Sequence, residues 1–587
     1  MTMEVNYQKR KNTDLFKCLE KIGFSETQNY IPIYNRFFTL NETNYDSINF
    51  NHQLHITHAS KTTDKNLYTC KVKNTSSQKT TNVDIFFKMA PILDPFKYLV
   101  GKYDIKDANL FKLPTYDSRE PMTPNKYLDP NNSAYVDSLF LFLSSRLIHT
   151  HKFIHGVNFY GSFLSIKQDF TLNVIDDLEY LKNSDFFNKN RNILFTVEDY
   201  EHLLENARSE KRKPLQIEHN SSARSTLSFQ SLNDGLFDNI FDNNANNADY
   251  GLNELDDFTL KFNEDSKITT LRSESSCSSR SSHTSHNSCD ESECGECVTD
   301  DDYSSGSGSE EDDNDDEDED EDEEIIEAVI PKFPVEVICM EYCEKTFDYL
   351  IMNEKLSVKE WSSALMQIIM ILITYQNAFS FTHNDLHTNN VMYNHTDKKY
   401  ISYYYENKYY QVPTYGRIFK IIDFGRSIYK YDGKVFCSDS FKFGGDAATQ
   451  YNIEPYFDDT KPRLEPNFSF DLCRLACSIF DHIIDDIKET KNLAKCDPIQ
   501  RLIIDWCLDD KGVNMLYKNN GDDRYPDFKL YKMIARHVHN HTPHAQLERP
   551  EFKAFIVTAK PKDFIDIDAI PICVYTFEHL NSHKNTN

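Results

Sequence analysis

Between about Asp176 and Lys332 the chain loses the apolar spacing that packed elements require, and this interval limits what the remainder can fold into. Its first part, through roughly Ala207, keeps helix-like stretches such as Val197–Leu204. Asn-rich, Ser-rich and finally acidic tracts follow, and residues 300–324 carry 17 acidic side chains and no basic one. Sequence of this kind buries too little apolar area to offset the chain entropy lost on ordering. A long loop adds little to the cost of closure, which grows only logarithmically with length. The interval therefore reads as a disordered insertion in a loop, and the fold must be built from the segments on either side.

Those segments differ in character. Residues 1–50 are mixed, with a short helix expected around Asp14–Ile22 and no chemistry assigned. From residue 51 to 175 the pattern is short and alternating. Gln53–Thr57, Leu67–Val72, Val83–Lys88 and Val157–Ile166 read as strands, and Asn131–Ile148 as a helix with a polar cap. Residues 333–345 give a buried strand, Phe333 to Cys343, with a chain of hinge character at its end. Residues 346–575 are mostly helical, and 576–587 form a tail. Lys359–Phe381 is apolar nearly all round, which places it in the middle of a packed body. Tyr400–Val412 reads as an aromatic hairpin, Arg417–Ile422 as a strand and Asn467–Ile484 as a helix. Strands first and helices later predict an α+β class.

Two short motifs sit at informative places in this pattern. His383-Asn384-Asp385-Leu386-His387-Thr388-Asn389-Asn390 follows the apolar helix directly, and Asp423-Phe424-Gly425 follows the strand Arg417–Ile422. Phosphoryl transfer needs mainly positioning and charge neutralisation from a protein. One carboxylate to orient a hydroxyl, with an amide oxygen and a second carboxylate to hold a metal, would supply those parts. Asp and Asn also cap helices and make turns, so either motif alone is weak. In this order and context the pair resembles the catalytic and metal-binding loops of the protein-kinase superfamily. Thr382–Asn390, Asp423–Arg426, Asp446–Asn452 and Ser469–Leu475 together resemble serine/threonine protein kinases of giant nucleocytoplasmic DNA viruses such as mimiviruses.

The resemblance implies a two-lobed fold: a small antiparallel N-lobe with one helix, interrupted by the acidic insertion, and a mainly helical C-lobe. It implies ATP and Mg²⁺ as cofactors and a protein substrate. Asp385 would accept the substrate hydroxyl proton, His383 would support the loop from beneath, and Asn390 and Asp423 would hold Mg²⁺, which suits hard oxygen donors. Gly425 would allow the sharp turn beside Asp423. Lys88, at the tip of an apolar run, would meet the α- and β-phosphates with Asp137 as its acidic partner, although Glu is the usual residue there. Met340, Glu341 and Cys343 would lie at the hinge that hydrogen-bonds adenine through its backbone. Asp471 would hold the catalytic loop from the helix below.

Departures from the pattern are equally specific. No Gly lies between Gly23 and Gly101, so a glycine-rich phosphate loop is missing; the turn containing Ser60, Lys61 and Thr62 could replace it with hydroxyls and lysine. Asn384 stands where an Arg would pair with a phosphorylated activation loop, so that switch is not expected. His387 stands where protein kinases place a γ-phosphate Lys. No Ala-Pro-Glu triplet ends the activation segment; Glu454-Pro455 and Glu465-Pro466 are partial candidates.

The formal net charge of −29 is concentrated in the acidic tract and recommends no general nucleic-acid surface, while the tract itself could bind basic partners. The first residues carry no apolar stretch of a secretory signal, and no segment is expected to span a bilayer. Fourteen cysteines, many within apolar runs such as Cys339, Cys473 and Cys477, suit a reducing compartment. An intracellular site, the host cytoplasm for a viral protein, is expected, with the virion as an alternative. Cys277, His283, His286, Cys289, Cys294 and Cys297 could offer zinc four ligands, but no second Cys-x-x-Cys supports a site. Ser307 and Ser309 are candidate phosphate acceptors. Two other functions stay open. A pseudokinase-like scaffold is favoured by the missing glycines and opposed by Asp385, Asn390 and Asp423. A small-molecule kinase of the choline or aminoglycoside type is favoured by Asn384 and His387 and opposed by the helical segment from Asn467.

Overall fold

A computed structural model describes residues 3–575 apart from 117–124, 199–325, 485–486, 488–489, 491 and 527. The acidic tract, the Cys/His group at 277–297, Ser307, Ser309 and the tail from 576 lie outside the described residues. What is described is α+β: mixed helices with antiparallel sheets.

The first sheet is built from β1 (Phe24–Gln28), β2 (Leu54–Lys61), β3 (Leu67–Asn74), β4 (Thr80–Pro91), β5 (Phe159–Asn173) and β6 (Glu327–Glu341). Their spatial order is β1-β5-β6-β4-β3-β2, every pairing antiparallel. Alternation along β3, where Leu67, Tyr68, Cys70 and Val72 are buried and Thr69 and Lys71 exposed, shows why the segment is a one-faced strand. By contrast β6 is buried over Phe333–Met340, as suits a central strand. The N-terminal 50 residues join this part of the fold. They hold a helix, Thr13–Glu20, and β1, which adds an edge to the sheet.

Besides Thr13–Glu20, a long helix packs on this sheet: α1, Ser133–His151, whose N-cap Asn132 accepts a hydrogen bond from the Ala134 amide. The second part of the chain centres on α2 (Val358–Phe379), begun by a capping box between Ser357 and Glu360 and buried on almost every face. Around it lie β7 (Val391–His395), β8 (Tyr400–Tyr405), β9 (Lys408–Pro413) and β10 (Arg417–Ile421), then α3 (Phe470–Ile483), α4 (Pro498–Trp506) and α5 (Lys529–His537). β8 and β9 form the expected aromatic hairpin, while β7 pairs antiparallel with β10 from Val391 opposite Ile421.

Three expectations need correction. Val197–Leu204 was expected to be helical, yet Thr196–Val197 is a short strand on the edge of β6; β-branched Thr and Val fit that pleated edge, and residues from 199 lie outside the described set. The interval expected to be an insertion through Lys332 ends earlier, since β6 already begins at Glu327 and pairs with β5 throughout. Against the expectation that no segment could span a bilayer, α2 is long and apolar enough by composition; its apolar faces are buried inside the fold. Cys339, Cys473 and Cys477 are buried free thiols, as their apolar settings predict.

Candidate active site

Lys88 lies on β4 with its side chain nearly buried, and two carboxylates from distant parts of the chain meet it. Its Nζ donates to Asp137 Oδ2 on α1 at 2.6 Å and to Asp423 Oδ1 at 2.8 Å. The Phe424 amide donates to the other Asp137 oxygen at 2.9 Å, tying α1 to the turn after β10. Burial alone would lower the Lys88 pKa; the two acids outweigh it and hold the ammonium charged. Burial raises Asp137, with Lys88 opposing. The shorter Asp therefore reaches the lysine that a longer Glu would be expected to meet.

The turn itself is shaped differently from expectation. Asp423, at φ 62°, is the left-handed residue, and Gly425 is not. Asp tolerates this region because its short polar side chain can bond locally. A Cβ at position 425 would make only ordinary contacts, 3.4 Å from Asp423 Oδ1 and 3.8 Å from the Ser133 carbonyl, so space alone does not call for glycine there. Phe424 is wholly buried and packs against Phe140 of α1, Phe381 and His383, with ring centroids 4.7, 5.9 and 5.8 Å away.

The loop after α2 is held from below. Asp471, near the start of α3, accepts from the His383 amide through Oδ2 and from the Asn384 amide through Oδ1, both at 2.9 Å. His383 Nε2 lies 2.9 Å from the Ile422 carbonyl, which can only accept, so Nε2 carries the proton. Its Nδ1 then accepts from the Asp385 amide at 3.3 Å. His383 thus links the loop to the strand end before Asp423. Asn384 has φ 64°, a conformation that Asn adopts more readily than Arg. Its Nδ2 donates to the Thr382 and Arg426 carbonyls, and its Oδ1 accepts from the Tyr451 hydroxyl at 2.7 Å.

Asn390 stands at the entry to β7 and its carbonyl accepts from the Ile422 amide, so the register of β7 and β10 brings it beside Asp423. Its Nδ2 donates to the Asp385 carbonyl at 2.9 Å, an acceptor that fixes which atom of the amide is nitrogen. The same Nδ2 faces His387 Nε2 at 3.1 Å, so that ring nitrogen accepts. Asn390 Oδ1 is left buried with no hydrogen-bond partner.

Asp385 is only 2% exposed as a residue. Tyr531 of α5 donates to its Oδ1 at 2.7 Å. Oδ2 makes no hydrogen bond, and Arg426 Nη1, 3.5 Å away, makes none either. Burial would raise the Asp385 pKa, but Arg426 foremost, then His387, Arg474 and the Tyr531 hydrogen bond, hold it below the usual carboxylate value. Tyr531 is stacked on Phe528 and lies beneath the Arg474 guanidinium, 5.1 Å from its ring centroid. Neither Tyr531 nor a role for Arg426 was foreseen. Arg426 follows a recognised motif, whereas nothing local ties Tyr531 to a loop 146 residues earlier.

The remaining predicted residues behave unevenly. Ser60 Oγ donates to the Thr69 carbonyl and Thr62 Oγ1 to the Leu67 carbonyl, so both hydroxyls are engaged within the β2–β3 hairpin; Lys61 is exposed at its end. Met340 and Glu341 end β6, and Cys343 is buried just beyond. The Glu341 carboxylate turns inward, accepting from the Asn158 amide, Asn394 Nδ2 and Lys420 Nζ at 3.0, 3.0 and 3.1 Å. That side chain locks β6 to β7 and β10.

No family model matches the chain. A protein named "Putative serine/threonine-protein kinase" from Acanthamoeba polyphaga mimivirus is 33% identical over 129 residues, covering 17% of this chain and 32% of that protein. The chain thus spans about a third of that relative's length. The match supports a kinase-like relationship and hints at an enzyme of that kind.

Proposed function

We propose that this chain is an ATP-dependent kinase, with a two-lobed protein-kinase-like fold, that transfers the γ-phosphoryl group to Ser or Thr hydroxyls of proteins. The observation that carries the reading is the convergence of Lys88, Asp137 and Asp423 beside a strand register that also delivers Asn390 and Asp385. The Ser/Thr and protein assignments rest on the resemblance and on the name of the partial relative.

The donor set fits Mg²⁺. Asn390 Oδ1 is a buried hard acceptor without a hydrogen-bond partner, and the pairing of β7 with β10 sets Asn390 next to the strand end that leads into Asp423. Among the described residues no group of three or more His, Cys, Asp or Glu could hold a metal, so Mg²⁺ here would depend on phosphates and water to complete its shell. When bound, Mg²⁺ neutralises charge on the β- and γ-phosphates. Lys88 orients the α- and β-phosphates, the backbone of Glu341–Cys343 receives adenine, and Asp385 takes the acceptor proton. Without a glycine-rich loop the β2–β3 hairpin approaches the phosphates less closely, so weak nucleotide affinity is expected.

The test is transfer from γ-labelled ATP with Mg²⁺ to a degenerate Ser/Thr peptide library. Asp385→Ala should lower transfer by about 10²–10⁴-fold, the range for loss of a positioned general base. Asp423→Ala should abolish Mg²⁺ dependence. Transfer that survives both changes refutes the proposal. A second reading, a kinase-like scaffold, is favoured by the capping of Asp385 by Tyr531 and Arg426. ATP binding without transfer to peptides, choline or amino sugars would select it. The acidic tract would then be the surface for basic partners.

A further inference from the structure

Buried charges and buried donors ordinarily find partners, because an unsatisfied one keeps its full cost of desolvation. Three side-chain atoms of this site make no hydrogen bond: Asn390 Oδ1, Asp385 Oδ2 and Arg426 Nη1. The first has a ready explanation in the metal site above. The other two face each other at 3.5 Å without forming a hydrogen bond, although one is anionic and the other cationic.

The surroundings fix both groups in place. Tyr531 holds Asp385 Oδ1, which leaves Oδ2 as the oxygen able to receive a proton. Arg426 Nη2 is 3.7 Å from Asp446 Oδ2, and the guanidinium carbon lies 5.8 and 5.9 Å from the Phe528 and Tyr531 ring centroids. His387 Nε2 accepts from Asn390 Nδ2, so that ring nitrogen is engaged within the loop. A guanidinium is always charged and its planar donors match phosphoryl oxygens.

We propose that Arg426 is a catalytic residue that donates from Nη1 to the transferring phosphoryl group, supplying a permanent cation where position 387 carries His and not Lys. The inference rests on the phosphotransfer reading. In the step, the acceptor hydroxyl oxygen bonds to Pγ as the bond from Pγ to the β,γ-bridging oxygen breaks. ADP leaves with that electron pair, the hydroxyl proton passes to Asp385 Oδ2, and Arg426 keeps its protons while its N–H groups stabilise the charge spread over the phosphoryl oxygens.

The experiment compares the full-length wild type with Arg426→Ala and Arg426→Lys, using ATP and the Ser/Thr peptide library. Arg426→Ala should lower kcat about 100-fold, as for removal of one transition-state donor, with KM for ATP changed less than about threefold because Lys88 and the metal ligands remain. Arg426→Lys should retain more activity than Arg426→Ala, and millimolar guanidinium should restore Arg426→Ala at least tenfold. A structural role would give neither rescue nor a kcat-specific loss, and thermal melts separate it from misfolding. A wild-type kcat in Arg426→Ala, or a loss that guanidinium does not relieve, overturns the proposal while leaving the kinase reading intact. A wild-type chain that binds ATP but transfers nothing overturns both.

Discussion

Two neighbouring charge clusters are built on opposite principles. Around Lys88 every charge has a partner: two carboxylates share one ammonium, and the Phe424 amide completes Asp137. Around Asp385 the charges are equally buried, but Oδ2, Arg426 Nη1 and Asn390 Oδ1 are unsatisfied. Low dielectric strengthens satisfied networks and makes unsatisfied groups costly. The first cluster therefore acts as a brace joining β4, α1 and the turn after β10. On the proposed reading the second waits for a ligand, with its cost borne by the surrounding fold.

Substitution at Lys88 should separate the two most sharply. Lys88→Met leaves Asp137 and Asp423 buried without their cation, a change worth about 3–5 kcal/mol, so a large drop in melting temperature should accompany loss of phosphotransfer. Unchanged melting would show that the brace is not structural. Tyr531→Phe probes the poised side. It removes a hydrogen bond to a charged acceptor, worth about 1.5–3 kcal/mol, and should lower kcat about tenfold with little change in KM for ATP. A rise in kcat would mean instead that the Tyr531 hydroxyl blocks the acceptor position.

The last expected effect is one of pH. Glu336 on β6 is fully buried, neither carboxylate oxygen makes a hydrogen bond, and burial pushes its pKa from 4.5 up to about 8, with the nearby Ser138 and Ser162 hydroxyls opposing. Between those values the folded chain keeps a proton that the unfolded chain releases. Its contribution to stability therefore falls as pH rises through that window. Glu336→Gln should remove the slope, so the variant's melting temperature should gain on wild type from pH 5 to pH 8. Parallel melting curves across that range would refute the assignment.

Much of the site was legible because its parts lie at ends of strongly patterned elements. Asp385 follows an apolar helix, Asn390 and Asp423 flank two strands that pair, and Asp471 begins a helix with a buried face. Lys88 was recognisable from the apolar run before it, and Asp137 from its helix. What stayed hidden depends on convergence or on local backbone geometry. Tyr531 reaches Asp385 from a distant helix, and the left-handed turn falls on Asp423 instead of on Gly425. Ser60 and Thr62 were plausible phosphate contacts by type, but their hydroxyls serve the hairpin's own carbonyls. Thr196–Val197 is a strand only because β6 offers it an edge.

The central claim is that Asn390 and Asp423 share a divalent cation beside ATP held by Lys88. Its most direct test is titration of ATP with Mn²⁺ as the metal, followed by calorimetry and by electron paramagnetic resonance. Wild type should bind Mn²⁺ and ATP together, and Asn390→Ala and Asp423→Ala should each lose the metal-dependent part of that binding. Equal Mn²⁺-dependent ATP binding by all three proteins would contradict the account.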